Sequence, residues 1–377
     1  MAEISGVCAD RFEPLRAMFE ASLDAGTDVG ASIVVHHKGE RVVDIWGGHT
    51  SAERSAPWAE DTLVNVWSTT KTMTFIVALL LVDRGELDLD APVARYWPEF
   101  AANGKGAVLV RHLLGHTAGL SGLDEQISGE EVADWDRVCA ALAAQAPWWE
   151  PGSASGYHAL TQGWLIGEVV RRIVGSSIGT FFATEVASPL GADFFIGLPE
   201  SEEGRVSVVL APEMGDEAPD VPADSIAMRT FRSPKIDATA PSHRWWRAAE
   251  IPAANGHGNA RSVAAVQSLI AGRGQSGGVR LLSEKTVDRV FEVQADGTDL
   301  VLGLPMCMGM GYGLRSDMLP IGDSACFWGG YGGSVIFMDQ DEELTVSYMM
   351  NLMRSGLVGD LRGFSLVFAA LQAAVAP

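Results

Sequence analysis

Lysine is scarce in this chain. The 377 residues contain five lysines, 27 basic residues in all against 48 acidic ones, and carry a formal net charge of -21. So acidic a surface repels polyphosphate backbones and anionic membranes, which argues against nucleic-acid or membrane partners and favours a small molecule. Cysteine is equally thin. Cys8, Cys139, Cys307 and Cys326 are scattered without a Cys-x-x-Cys pair, so reduced thiols are expected rather than a disulfide framework. Long apolar runs are missing too: Met73 to Val82 spans ten residues, enough for a buried core helix and too few for a membrane span. The opening stretch MAEISGVCADRFEPLR lacks the charged start, apolar run and cleavage site of a secretory signal, so a cytoplasmic location is expected. No Gly-rich loop has the form of a phosphate cradle, and neither a cofactor nor a metal is implied.

What is present is ordinary for a folded protein, with 47% hydrophobic and 20% charged residues. The length allows two domains, or one with a large insertion. Phe12, Leu15, Phe19 and Leu23 keep helical spacing near the start. "ASIVVHH" and "RVVDIWGG" follow, two strand-like runs joined at Lys38-Gly39 as a hairpin. Near the other end "GSVIFM" and "LTVSYMM" flank the polar turn 339–342, and Leu361, Phe364, Val367, Phe368 and Leu371 predict a closing helix. The two ends read as halves of one antiparallel sheet covered by helices, an α+β fold. Residues 1–82 and 294–377 are assigned to that sheet region, and 83–293 to a mainly helical one that includes "TQGWLIGEVVRRIVG" and "ARSVAAVQSLIAG". Part of the stretch from roughly 175 to 250 is open to assignment with the sheet. Ser201 to Gly258 is Pro-rich and irregular, the character of segments that shape a binding site.

Chemistry concentrates at "NVWSTTKTMTFIVALLLVDRG", where Ser68 and Lys71 stand three residues apart at the mouth of the apolar run. Chance supplies about 0.4 matches to Ser-x-x-Lys in such a chain, so the pattern needs context. A rival, Gly274-Gln275-Ser276-Gly277-Gly278, fits the nucleophile elbow Gly-x-Ser-x-Gly. That motif requires a strand before it, a helix after it and a later histidine. Ser276 follows a helical pattern, precedes an extended one, and no histidine lies beyond it, so it reads as a flexible turn. Ser68 meets its own test. Three residues put Lys71 one turn below it on one helix face, and a helix N-terminus offers free N–H groups to a developing oxyanion. Burial disfavours a charged lysine, which must fall by roughly three units from about 10.4 to serve as a base at neutral pH.

Ser68-Thr69-Thr70-Lys71 followed by "LLGHTAGL" resembles the serine β-lactamase and penicillin-binding-protein superfamily, and within it class C β-lactamases and family VIII carboxylesterases. "EPGSASGYHALTQGWLIGEVVRR" looks like the segment carrying that group's catalytic tyrosine, here Tyr157. "NGHGNARSVAAVQSLIAG" resembles its Gly-rich turn and following helix, and "FWGGYGGSVIFMD" the strand that replaces its Lys-Thr-Gly motif. The likeness runs from about Ala31 to Met350 in the family's order. It implies Ser68 as the acylated nucleophile, with Lys71 and Tyr157 sharing the proton work. A positive Lys71 would make the Tyr157 phenolate accessible. The backbone N–H groups of Ser68 and Tyr331 would form the oxyanion hole, and Trp328, Gly329, Gly330 and His257 would line the substrate site. Two departures weigh against β-lactams: Tyr157-His158-Ala159 replaces Tyr-x-Asn, and Trp328-Gly329-Gly330 replaces Lys-Thr-Gly. The expected activity is therefore a serine carboxylesterase acting on neutral short- to medium-chain esters, with weak or no β-lactamase activity. An acyltransferase, a β-lactamase or amide hydrolase, and a sensor that acylates without turnover are the alternatives.

His112 and His116 have helical metal-binding spacing, but "HLLGH" lacks the glutamate of the zinc-protease motif, and a structural role in the turn is expected. Trp148-Trp149 and Trp245-Trp246 suit a pocket rim or the core equally.

Overall fold

The computed structural model describes residues 3–212, 222 and 224–376. Its centre is a six-stranded antiparallel sheet built from both ends of the chain. In chain order the principal elements are β1 (Ile4–Cys8), α1 (Glu13–Asp24), β2 (Gly30–His37), β3 (Glu40–Gly48), α2 (Thr70–Asp83), α3 (Trp135–Ala144), α4 (Thr161–Val174), α5 (Ala260–Ala271), β4 (Ala325–Gly329), β5 (Val335–Asp339), β6 (Leu344–Met350) and α6 (Leu361–Val375). The strands lie in the order β1-β3-β2-β6-β5-β4. The two terminal hairpins therefore meet along the β2–β6 seam, where Val346 opposes Val35 and Tyr348 opposes Ile33.

Local chemistry sets both hairpins. Lys38 and Gly39 take positive φ angles of 53° and 79°, the backbone hand that lets a two-residue turn follow the twist of its strands. β6 is buried along its whole length, so both sheet faces are covered. Alternation of side chains shows by what. Thr345 accepts a hydrogen bond from Ser268 of α5, whereas Tyr348, on the opposite face, donates to Asp28, which also pairs with Arg362 of α6. α1 packs beside α6 through Leu15, Phe19 and Leu23, which are buried.

The sheet departs from the sequence reading in three places. The first residues, to which the sequence reading assigns no element, include the edge strand β1, whose exposed side chains give no alternating pattern. Gly6 is required in it, since a Cβ would sit 2.0 Å from the Asp44 carbonyl oxygen. The boundary expected at 293/294 assigns α5 to the helical region, but α5 packs on β2, β5 and β6, where Ser268 bonds His36 and Thr345. Ser276 is not in a flexible turn. It lies in a tight hairpin pairing Gln275–Ser276 with Val279–Arg280, and its Oγ donates to the Ala265 carbonyl at 2.6 Å. Within Ser201–Gly258 the chain forms short helices at Ile226–Arg232 and Arg244–Ala248, while 213–221 and 223 lie outside the described residues. Among the described residues no helix is long and apolar enough to cross a membrane.

Candidate active site

The apolar run becomes α2, buried continuously from Thr70 to Leu81 because neighbours enclose it on every side. It is entered through a 3-10 turn, Trp67–Thr69, which places Ser68 just ahead of the helix with Lys71 one turn further in. Trp67 adopts φ +48°, an outlier for a bulky residue that persists only where its surroundings hold it. Its indole packs at 5.4 Å from the ring of Trp246 and 5.5 Å from that of Tyr331.

Three polar atoms meet beneath this turn. Lys71 Nζ lies 3.1 Å from Ser68 Oγ and 3.1 Å from Tyr157 Oη, and the Tyr157 hydroxyl donates to Ser68 Oγ at 2.5 Å. Lys71 also donates to the carbonyls of Ala159 at 2.7 Å and Ala253 at 2.9 Å. The segment around Ala253 is held on both sides. Thr74 bonds the Pro252 carbonyl, Asn65 those of Ala254 and Gly256, and the Gly256 N–H donates to Thr70 Oγ1. On the other side the Tyr157 N–H is held by the buried Asp299 carboxylate at 3.0 Å, which also takes the N–H groups of Val301 and Leu302.

Among the described residues no carboxylate counters the burial of Lys71, which holds its ammonium pKa well below the usual lysine value. Burial acts oppositely on Tyr157, raising its phenol well above 10, with the hydrogen bond to Ser68 opposing only in part. Both shifts run against charge: burial disfavours the Lys71 ammonium and the Tyr157 phenolate alike. A neutral Lys71 has two hydrogens, which the two carbonyls accept, and a lone pair left for Ser68 or Tyr157.

The strand β4 runs into this corner. A Cβ on Gly330 would stand 2.3 Å from the Val66 carbonyl oxygen, 2.3 Å from Ser334 Oγ and 3.3 Å from the Ser68 nitrogen, so only glycine lets the strand end approach the serine turn. Ser334 ties the next strand to the same turn, donating to the Val66 carbonyl and sharing a 2.9 Å hydrogen bond with Thr69. Gly329 is confined similarly, since a Cβ on it would stand 2.4 Å from the Gly359 nitrogen. Trp328 is fully buried, stacked on His116 at 5.5 Å and tilted against Tyr157 at 5.8 Å, so it backs the tyrosine rather than standing open to solvent.

His257 is placed elsewhere than the pocket wall the resemblance implied. It is buried in a short strand paired with Val64–Asn65, its Nδ1 bonds the Asn255 carbonyl, and burial pulls its pKa down to about 3. Among the described residues it makes no hydrogen bond to Ser68, Lys71 or Tyr157. His116, by contrast, belongs to the site. It takes the left-handed φ of +58°, its ring lies 5.2 Å from that of Tyr157, and Nδ1 accepts from the His158 N–H. That bond leaves the proton of the neutral ring on Nε2. His112 instead receives the Leu109 N–H at its own turn. Among the described residues no group of three His, Cys, Asp or Glu is arranged to hold a metal. Sequence reasoning missed His116, Asp299 and Trp67 as parts of the site. The one available signal was the place of His116 inside "LLGHTAGL".

A serine held between a buried amine and a buried phenol, at the junction of a sheet and a helical region, defines a serine hydrolase. Known proteins agree with that class. The β-lactamase family model matches residues 15–367, and the chain belongs to that family. It is 33% identical to the esterase/β-lactamase LipL of Mycobacterium tuberculosis over 99% of this chain and 89% of that protein. It superposes on the crystal structure of a family VIII carboxylesterase with TM-score 0.92 and 42% identity, covering 98% of this chain and 100% of that one. A penicillin-binding-protein homologue from Caulobacter crescentus gives TM-score 0.89 and 37% identity over 98% and 100% of the two chains.

Proposed function

We propose that the protein is a carboxylesterase that cleaves neutral esters with short to medium acyl chains through an acyl-Ser68 intermediate. The observation that carries this is the close triangle of Ser68 Oγ, Lys71 Nζ and Tyr157 Oη, with Lys71 held toward neutrality by burial. The names of its relatives, an esterase/β-lactamase and a family VIII carboxylesterase, support the reading. As the Ser68 oxygen attacks the ester carbonyl, its proton passes to the Lys71 lone pair, directly or through the Tyr157 hydroxyl. The N–H groups of Ser68 and Tyr331 receive the oxyanion. Collapse expels the alkoxide, which takes the Tyr157 proton while Lys71 returns its own to the tyrosine. Water then repeats the sequence on the acyl-enzyme and regenerates Ser68.

The preference for uncharged substrates rests on the wall behind Tyr157. Where the resembled β-lactamases have a lysine, this chain has Trp328, buried behind Tyr157, so a substrate carboxylate would lose hydration without gaining a cation there. Neutral esters are expected to exceed carboxylated cephalosporins in kcat/KM by several orders of magnitude. Burst kinetics with a short-chain ester and intact-protein mass, on wild type and Ser68→Ala, test the mechanism. A transient adduct mapped to Ser68 and absent from the variant is expected, and full activity in Ser68→Ala would refute the reading.

A further inference from the structure

The rings beside Ser68 form one continuous run toward the surface. Trp67 meets Tyr331 at 68° and Trp246 at 50°, Trp246 meets Trp245 at 87°, and Trp245 lies parallel to within 16° of His243. Exposure rises along it. Trp67 and Trp246 are buried, Tyr331 and Trp245 are half-buried, and His243 is exposed. The inner end is rigid, because Trp246 Nε1 bonds Asn65 at 3.2 Å and Trp67 is pinned by its own strained backbone next to the serine. Tyr331 links the run to the strand end that approaches Ser68.

The neighbouring cations are already engaged. Arg244 and Arg247 both pair with Glu203, at 3.1 Å and 2.7 Å. Asp237, whose carboxylate takes the N–H and hydroxyl of Thr239, stands near enough to Tyr331 to affect its phenol. A ligand on this wall therefore finds aromatic faces and edges, no free cation among these groups, and one carboxylate that repels anions. Planar, uncharged groups gain most there. A ring meets other rings in edge-to-face contact beyond its area, and it has fewer rotatable bonds to freeze than an alkyl chain of similar size.

We infer that Tyr331 and Trp245, backed by the buried Trp67 and Trp246, form a specificity surface that selects uncharged esters bearing an aromatic ring close to the scissile carbonyl. This deepens the esterase reading and depends on it. The test compares matched pairs on the full-length protein: ethyl 3-phenylpropanoate against ethyl hexanoate, with the ring on the acyl side, and 2-phenylethyl acetate against hexyl acetate, with the ring on the alcohol side. In at least one pair the ring ester should lead in kcat/KM by about threefold to tenfold, the scale of one ring-on-ring contact. Trp245→Leu keeps apolar bulk without the ring and should bring that ratio to about one. Tyr331→Leu serves the same purpose should Trp245→Leu fail to fold. Ser68→Ala, binding the uncleaved esters, should show the same ring preference in dissociation constants read from tryptophan fluorescence. Ratios near one in wild type for both pairs, or a ring preference that survives these leucine variants, would overturn the inference. An active Ser68→Ala would instead remove the esterase reading itself, so the two failures are distinguishable.

Discussion

Lys71 is where environment most changes what a side chain can do. In the proposed mechanism a neutral Lys71 accepts the Ser68 proton, so kcat/KM should rise with pH through its lowered pKa and then level off, well before ordinary lysines titrate. The linkage has the same sign in stability. Between the lowered folded pKa and about 10.4, the unfolded chain binds a proton that the folded one does not. The native state therefore gains stability as pH rises through that window, and urea midpoints at stepped pH should show the gain shrinking in Lys71→Met. Tyr157→Phe keeps the ring against His116 and Trp328 but loses the hydroxyl that donates to Ser68. A fall in kcat of about 10²- to 10⁴-fold with little change in melting temperature is expected, measured by ester hydrolysis and calorimetry. Ser68 and Lys71 were legible because three-residue spacing fixes a shared helix face. The direction of the tyrosine shift was not, because burial comes from residues distant in the chain. Trp67 was invisible for a related reason, since no local pattern marks a tryptophan held at positive φ.

Elements bring these residues to one point. At the end of β4, Gly330 has no room for even a methyl group, and the obstructing Val66 carbonyl is backbone that cannot rotate away. Gly330→Ala should therefore displace the Ser68 turn and lower kcat by about 10²-fold or more, the scale of a lost oxyanion donor. Ser334→Ala leaves the space alone but removes the bonds to Val66 and Thr69, and should cost about 1–3 kcal/mol in urea unfolding. The two hairpins and closing helix could be read from alternation, turn residues and helical periodicity. β1 could not, because an edge strand with three exposed central residues hides its pattern. The place of α5 was hidden differently. Its apolar face announces a helix but not which surface covers it.

Across the whole molecule, the β2–β6 seam and Arg362 join the two ends of the chain. The guanidinium pairs with Asp28 at 2.8 Å and Asp360 at 2.6 Å, and donates to the carbonyls of Thr27, Leu352 and Gly332. Asp28 is almost wholly buried, so Arg362→Ala would strand its carboxylate and cost about 3–5 kcal/mol. The Gly332 carbonyl is one residue past Tyr331, so this variant should also slow ester cleavage, which Arg362→Lys would restore only in part.

A chain that closes its sheet with its final strands finishes its reactive corner late. Ser68 emerges early in synthesis, whereas Gly330 and Tyr331 follow more than two hundred residues later, so on the proposed mechanism the nascent chain should carry an unassembled site for most of its translation. Long-range closure of this kind is also slow in refolding. Covalent capture of Ser68 by a fluorophosphonate should therefore act as a clock. Quenched at intervals during refolding, it should report not the collapse of the chain but the moment its two ends meet.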